Sequence, residues 1–167
     1  MPKSRDVIVL IGPMGVGKTT IGKKLARALK VPFQDSDVLF TNQHGPITEF
    51  FESTGEAAFR DIESEIVIGA LAKPGVLATG GGAVLNPNTQ VALAENATVI
   101  YLSTDGRHVG SRLAHGNRPL LTNGLDSWRE IYESRKPIYE AVADFEVDTS
   151  SKPLAAVIDE IKKDLNL

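Results

Sequence analysis

Gly12-Pro13-Met14-Gly15-Val16-Gly17-Lys18-Thr19 satisfies the pattern G-x-x-x-x-G-K-[ST] at every fixed position, and no other stretch narrows the possible folds of this chain as much. Just before it, Val7 to Ile11 (VIVLI) is a β-branched apolar run of the kind found in strands buried on both faces. Just after it, Ile21, Leu25, Ala26 and Leu29 recur at helical spacing between Lys and Arg, and Pro32 requires the helix to have ended. Strand, glycine loop and helix in this order form a phosphate cradle. The glycines let main-chain N–H groups turn inward, and the helix N-terminus favours an anion. The pattern therefore predicts that Gly15, Val16, Gly17, Lys18, Thr19 and Thr20 contact a nucleotide. Lys18 would reach the β- and γ-phosphates and Thr19 would offer its hydroxyl to Mg²⁺.

The alternation continues downstream. A strand is expected near Phe33, then a polar helical stretch through Phe50 and Phe51, then a helix from about Gly55 with Phe59, Ile62, Ile66 and Leu71 on its apolar side. Val76 to Ala78 and Thr98 to Leu102 read as strands, with a helix between them opened by Asn86-Pro87 as N-cap and first helical residue. Thr104 and Asp105 can start another helix. Residues 110–124 hold three glycines and little periodicity, which predicts a mobile connection. A helix from about Ser127 to Ala143, a strand near Phe145 to Val147 and a helix from Pro153 to Leu165 complete the pattern. Strands alternating with helices predict an α/β fold, a parallel sheet covered on both faces, with ligands at the carboxyl ends of the strands.

Composition supports one domain over residues 1–167. The chain is 42% hydrophobic and 23% charged, enough apolar surface for a packed core. A net charge of -3 argues against bulk attraction to nucleic acid or an anionic membrane, so no partner of either kind is expected. There is no cysteine, which excludes disulfides, thiolate catalysis and cysteine-rich metal sites and suits the cytoplasm. The first apolar run spans only about five residues, too short for a signal-peptide core or a membrane span.

Three features describe the other side of the cleft. Asp35 and Asp37 stand two apart after the second strand, so in extended geometry both carboxylates project to one side, one for the metal and one for an acceptor. Phosphoryl transfer to an alcohol needs a carboxylate near the attacking hydroxyl, and Asp37 is given that role. Alternatively, either aspartate caps the next helix. Gly80-Gly81-Gly82 has more glycine than leaving a strand requires, which points to backbone approaching a ligand, with a loose turn as the other reading. Arg60, Arg118 and Arg135 are each either surface cations or forks for a carboxylate or phosphate. His44, His108 and His115 have no partner at ligand spacing and read as solvated.

Taken together, the phosphate loop, D-S-D at 35–37, A-F-R-D-I-E at 58–63, G-G-G-A at 80–83, R-P-L-L at 118–121 and R-K-P-I-Y at 135–139 resemble the shikimate kinase family in order and spacing over nearly the whole chain. The resemblance implies a nucleoside-monophosphate-kinase type of fold, three α/β/α layers around a five-stranded parallel sheet, with an acceptor-binding segment at about 35–63 and a lid at about 112–124. It implies ATP and shikimate as substrates, Mg²⁺ as metal, and a monomer. By motif position Asp37 would activate the acceptor hydroxyl, Arg60 and Arg135 would grip the substrate carboxylate, and Gly81 and Gly82 would offer N–H groups. Arg118 would close from the lid onto the phosphates as a catalytic group beside Asp37 and Lys18. Asp35 would orient Mg²⁺ alongside Thr19, and Glu63 would orient Arg60. Arg112 and Pro119 would border the adenine, with Ser151 and Lys152 opposite.

Two other functions share these features. One is another small-molecule kinase of the same fold, acting on gluconate or a nucleoside monophosphate. The other is a non-catalytic nucleotide switch, for which an acceptor base such as Asp37 has no use.

Overall fold

The computed structural model describes residues 6–107, 109 and 124–167. The expectations for His108, Arg112, His115, Arg118 and Pro119, and for the lid apart from Gly124, lie outside the described residues.

Strand β1 (Val7–Ile11) leads through the glycine loop into helix α1 (Lys18–Leu29), then β2 (Phe33–Asp35), α2 (Ser36–His44), α3 (Ile47–Thr54) and α4 (Glu56–Ala70). β3 (Gly75–Ala78), a short 3₁₀ turn (Ala83–Leu85), α5 (Pro87–Asn96) and β4 (Thr98–Ser103) follow, and α6 (Leu125–Val142), β5 (Phe145–Asp148) and α7 (Leu154–Asp164) end the chain. The five strands form one parallel sheet in the order β2-β3-β1-β4-β5. The chain adds strands on one side of β1 and then on the other, so the crevice for a ligand opens at the end of β1, where the glycine loop sits.

Alternation along the central strands builds two cores. Val7, Val9 and Ile11 of β1, with Val99 and Tyr101 of β4, pack against α4, α5 and α6. Leu10 of β1, with Ile100 and Leu102 of β4, faces α1 and α7. A period of two on each strand thus makes three layers from one sheet.

A third, smaller cluster holds the segment between β2 and β3. Phe40 is 1% exposed and meets Phe50 edge-on at 5.2 Å and Phe59 at 4.9 Å, with Phe51 and Ile62 around them. Burying such a ring contributes roughly 1.5–3 kcal/mol, enough to seat these short helices against α4. His44 is exposed, as expected, yet its ring rests 5.0 Å from that of Phe40.

One local expectation changes. The single helical stretch expected ahead of Gly55 is two helices, because Gly45 takes φ 80 and Pro46 follows it as the N-cap of α3. A left-handed glycine ends one helix and proline favours the start of the next. The helix expected from about Ser127 to Ala143 is α6, which runs through Pro137 without stopping. Proline removes one i to i−4 bond there, and the buried face of Trp128, Tyr132, Arg135 and Tyr139 keeps the helix against the sheet.

Candidate active site

At the donor end, the chain leaves β1 through Gly12, whose φ is 147 and where a Cβ would lie 2.5 Å from the Leu102 carbonyl oxygen. Only glycine lets the loop pass β4 so closely. Gly17 caps α1 in a left-handed conformation, and Lys18 and Thr19 form the first turn. The Lys18 ammonium folds back over the loop and donates to the carbonyls of Gly12 at 2.7 Å and Pro13 at 2.8 Å.

The Thr19 hydroxyl donates to Asp35 Oδ2 at 2.7 Å. Asp35 uses its other oxygen to cap α2, accepting from the N–H groups of Asp37 at 2.9 Å and Val38 at 3.4 Å. The extended-geometry expectation for the D-S-D pair is therefore corrected, since Asp35 ends the strand and Asp37 lies in the first turn of the helix. Both carboxylates nevertheless line one cavity of about 230 Å³ with Lys18, Thr19 and Gly80. Asp35 caps and faces the cleft at once because its two oxygens serve different groups.

On the other side of the loop lies a cavity of about 770 Å³, walled by Val16, Gly17 and Thr20 on the loop side and by Ser151, Lys152 and Leu154 opposite. Ser151 adopts φ 54, and Lys152 pairs with Glu160 at 2.9 Å. Hydrogen bonds from the Ser150 side chain and backbone hold the Asp148 carboxyl below its usual range. Thr104, Thr149 and Ser150 also line this cavity and were not singled out from the sequence. They follow β4 and β5 directly, so the carboxyl-edge rule contained the signal.

At the acceptor end a smaller cavity, about 70 Å³, is lined by Asp37, Arg60, Glu63, Arg135 and the three glycines. It shares Asp37, Gly80 and Gly81 with the donor-side cavity. Asp37 thus stands where the two meet. Arg60 is held by Glu63 at 2.8 Å and Glu56 at 3.3 Å and sits 5.1 Å from the centre of the Phe59 ring. Glu63 and Arg135 are 4% and 6% exposed, and among the described residues they are the two buried charged side chains. Buried charges are costly unless partnered, and they concentrate at functional sites.

Burial pushes the Glu63 carboxyl above its usual value, although the Arg60 guanidinium beside it pulls the other way. Burial likewise lowers Arg135, with the neighbouring Arg60 charge adding to the shift and the Tyr139 hydroxyl opposing it. Tyr139 donates to the Gly81 carbonyl oxygen, and its own pKa is pushed up to about 12, chiefly by burial. Two guanidinium groups facing one small cavity make a receptor for an anion.

The triple glycine fits into this cluster residue by residue. A Cβ on Gly80 would lie 2.8 Å from Glu63 Oε2 and 2.9 Å from Asp37 Oδ1, and one on Gly82 would lie 2.4 Å from the Arg60 guanidinium. On Gly81 it would meet Met14 of the phosphate loop at 3.2 Å. Close approach is realised, although toward the groups that form the site. Tyr139 is the member that sequence reasoning did not single out, and Gly80 was named there only as part of the triple glycine.

Among the described residues no three Asp, Glu or His side chains gather at one point to hold a metal, and no helix is long and apolar enough to cross a membrane. The Thr19 hydroxyl and Asp35 carboxylate do supply two hard oxygens 2.7 Å apart beside the phosphate loop. Such a donor set suits Mg²⁺, which is usually held by one or two protein oxygens plus phosphates and water.

Comparison with known proteins agrees with this geometry. The profile of the family described as shikimate kinase matches residues 14–166. A shikimate kinase of Streptomyces coelicolor is 45% identical over 153 residues, covering 89% of each chain. One of Paracidovorax citrulli is 42% identical, covering 96% of this chain and 92% of the other. The solved structure of the Acinetobacter baumannii shikimate kinase in complex with shikimate superimposes with a TM-score of 0.91 at 33% identity, over 98% of this chain and 94% of that one. Motif order, sheet topology and these matches over nearly the full length agree, and the chain belongs to the shikimate kinase family.

Proposed function

We propose that this protein transfers the γ-phosphoryl group of ATP to the 3-hydroxyl of shikimate, giving shikimate 3-phosphate and ADP, as one step of aromatic amino-acid biosynthesis. The observation that carries the proposal is the position of Asp37, shared between a cavity lined by Lys18 and Thr19 and a cavity lined by Arg60 and Arg135. A nucleotide switch has no need of a carboxylate between two ligand sites. A doubly cationic acceptor pocket suits a small hydroxylated carboxylate.

Each residue has a step. Arg60 and Arg135 hold the shikimate carboxylate, and N–H groups of Gly81 and Gly82 help fix the ring so that the hydroxyl faces Asp37. Lys18 leaves the carbonyls of Gly12 and Pro13 for the β- and γ-phosphates, exchanging two neutral acceptors for charged ones. Asp37 accepts the hydroxyl proton as the acceptor oxygen bonds to the γ-phosphorus and the bond to the bridging β,γ-oxygen breaks, which releases ADP. Gly15, Val16, Gly17 and Thr20 line the phosphate and nucleoside path, with Ser151 and Lys152 beside the base.

Thr19 and Asp35 would hold Mg²⁺, which when bound offsets negative charge on the phosphates. Arg118 completes the charge cluster over the phosphates, and Arg112 and Pro119 border the adenine; all three belong to the proposal through motif position alone. The proposal also takes the protein as a single-domain monomer in the cytoplasm, to be checked by sedimentation and cell fractionation. A coupled ADP-release assay with shikimate, gluconate and nucleoside monophosphates tests the acceptor. Only shikimate is expected to raise ADP release; an equal response to gluconate or a nucleotide would overturn the assignment.

A further inference from the structure

The buried face of α6 touches both ends of the cleft. Trp128, Tyr132, Arg135 and Tyr139 are 1%, 4%, 6% and 1% exposed and fall on one side of the helix at spacings of four, three and four. At one end the Trp128 indole N–H donates to the carbonyl of Met14, inside the phosphate loop, at 2.7 Å. At the other end the Tyr139 hydroxyl donates to the carbonyl of Gly81 and meets the Arg135 guanidinium. Between them Met14 and Gly81 face each other, since a Cβ on Gly81 would lie 3.2 Å from Met14 Cγ and 3.3 Å from Met14 N. Tyr132 fixes the middle, bonding the Tyr101 hydroxyl and accepting from the N–H of Thr104 on the wall of the nucleoside cavity.

These contacts close a ring: helix, indole, donor loop, acceptor loop, tyrosine and helix again. Eleven residues separate Trp128 from Tyr139, roughly 16 Å of rigid helix at the usual rise. The loops leave the paired strands β1 and β3, which fix where they start, and beyond the strand ends a rigid helix that touches both constrains how far apart they sit. An apolar side chain would only fill the space under Met14, whereas the indole fills it and also supplies a donor to a loop carbonyl. We propose that α6 sets the donor-to-acceptor distance and that Trp128 is the positioning residue for the phosphate loop, acting through its hydrogen bond to Met14. This rests on the phosphotransferase reading above and goes beyond it by assigning the spacing to a residue that touches neither substrate.

Transfer between two bound groups is sensitive to sub-ångström changes in their separation, while the affinity of each group depends on its own loop. Loss of the indole N–H should therefore lower kcat about tenfold, the effect of one lost hydrogen bond, and change each KM by less than about twofold. Trp128 is the chain's single tryptophan, so β-(3-benzothienyl)alanine can replace it uniformly, keeping the bicyclic shape and removing the N–H. Rates are to be normalised to ADP-binding stoichiometry, which removes any contribution from misfolded protein. A second arm needs no turnover. Indole emission of the unsubstituted protein should change on adding ADP alone and on adding shikimate alone, and Tyr139→Phe should weaken the response to shikimate while keeping the response to ADP.

An analogue enzyme with unchanged kcat, or a fall in kcat matched by equal changes in both KM values, overturns the positioning role. So does an indole that responds to ADP and ignores shikimate, and this arm decides alone if the analogue protein does not fold. Wild-type protein that releases no ADP with shikimate instead overturns the functional reading, and the positioning role with it.

Discussion

Gly82→Ala isolates one contact of the acceptor site. Gly82 has φ −99 and ψ 5, a conformation open to any L-residue, so alanine introduces no backbone strain. Its methyl group would lie 2.4 Å from Arg60 Cζ and Nη2 and 2.5 Å from Nη1. The guanidinium must therefore move, although Glu63 at 2.8 Å and Glu56 at 3.3 Å hold it on its other edges. Overpacking of this kind costs about 1–3 kcal/mol. For a chain of this size that is a fall in Tm of about 2–12 °C, which scanning calorimetry reads directly.

Function should suffer more selectively. If Arg60 holds the shikimate carboxylate, losing one charge-assisted contact of about 1.5–3 kcal/mol raises the KM for shikimate roughly tenfold to hundredfold. Neither Gly82 nor Arg60 lines the donor-side cavities, so the KM for ATP should stay within about twofold. Gly81→Ala is the comparison, because its methyl would press on Met14, 3.2 Å from Cγ and 3.3 Å from the backbone N, and stay 3.6 Å from the Arg135 guanidinium, so the KM for shikimate should rise less than in Gly82→Ala. A Gly82→Ala enzyme with wild-type KM for shikimate would refute the assignment of Arg60, and an unchanged Tm would refute the steric argument.

Two further tests address the charges. Asp37→Asn should lower kcat by about 10²-fold or more while ADP affinity, read by calorimetry, changes less than about threefold; equal losses would count against its role as base. Glu63 is raised above 4.5 by burial, so between 4.5 and its raised value the native state holds a proton that the unfolded chain has released. Its contribution is thus complete below about 4.5 and is lost as pH rises through the raised value. The stability of wild type relative to Glu63→Gln should accordingly decline over that interval in urea titrations at stepped pH, and parallel curves or a rise would sink the attribution.

The sheet was legible because its signals are local. VIVLI, VLA and TVIYL announce buried parallel strands, and Asn86 caps its helix just where Asn-Pro predicts, accepting from the Asn88 N–H at 2.9 Å. Where a local rule met a tertiary demand, the demand prevailed. Thus α6 passes through Pro137 because its aromatic side is buried, while the one helical stretch expected through Phe50 and Phe51 is divided at Gly45-Pro46, a local signal that the expectation passed over. At the site, Lys18, Thr19, Asp37, Arg60 and Arg135 could be named from motifs. Gly80 gave no separate sign of its contact with Asp37 and Glu63, since a run of three glycines does not say which neighbour each one meets.

By itself the sequence determined the class of fold, the phosphate cradle and the kinds of side chain available to the chemistry. Spacings of two, three and four residues act within one turn or one strand and need no knowledge of distant partners. Only the tertiary structure decided that Asp37 joins two cavities, that the two oxygens of Asp35 serve different helices, and that Trp128 reaches Met14 over a separation of 114 residues. Those relations exist only after the strands have taken the order β2-β3-β1-β4-β5, which the packing of both cores fixes and no local pattern encodes.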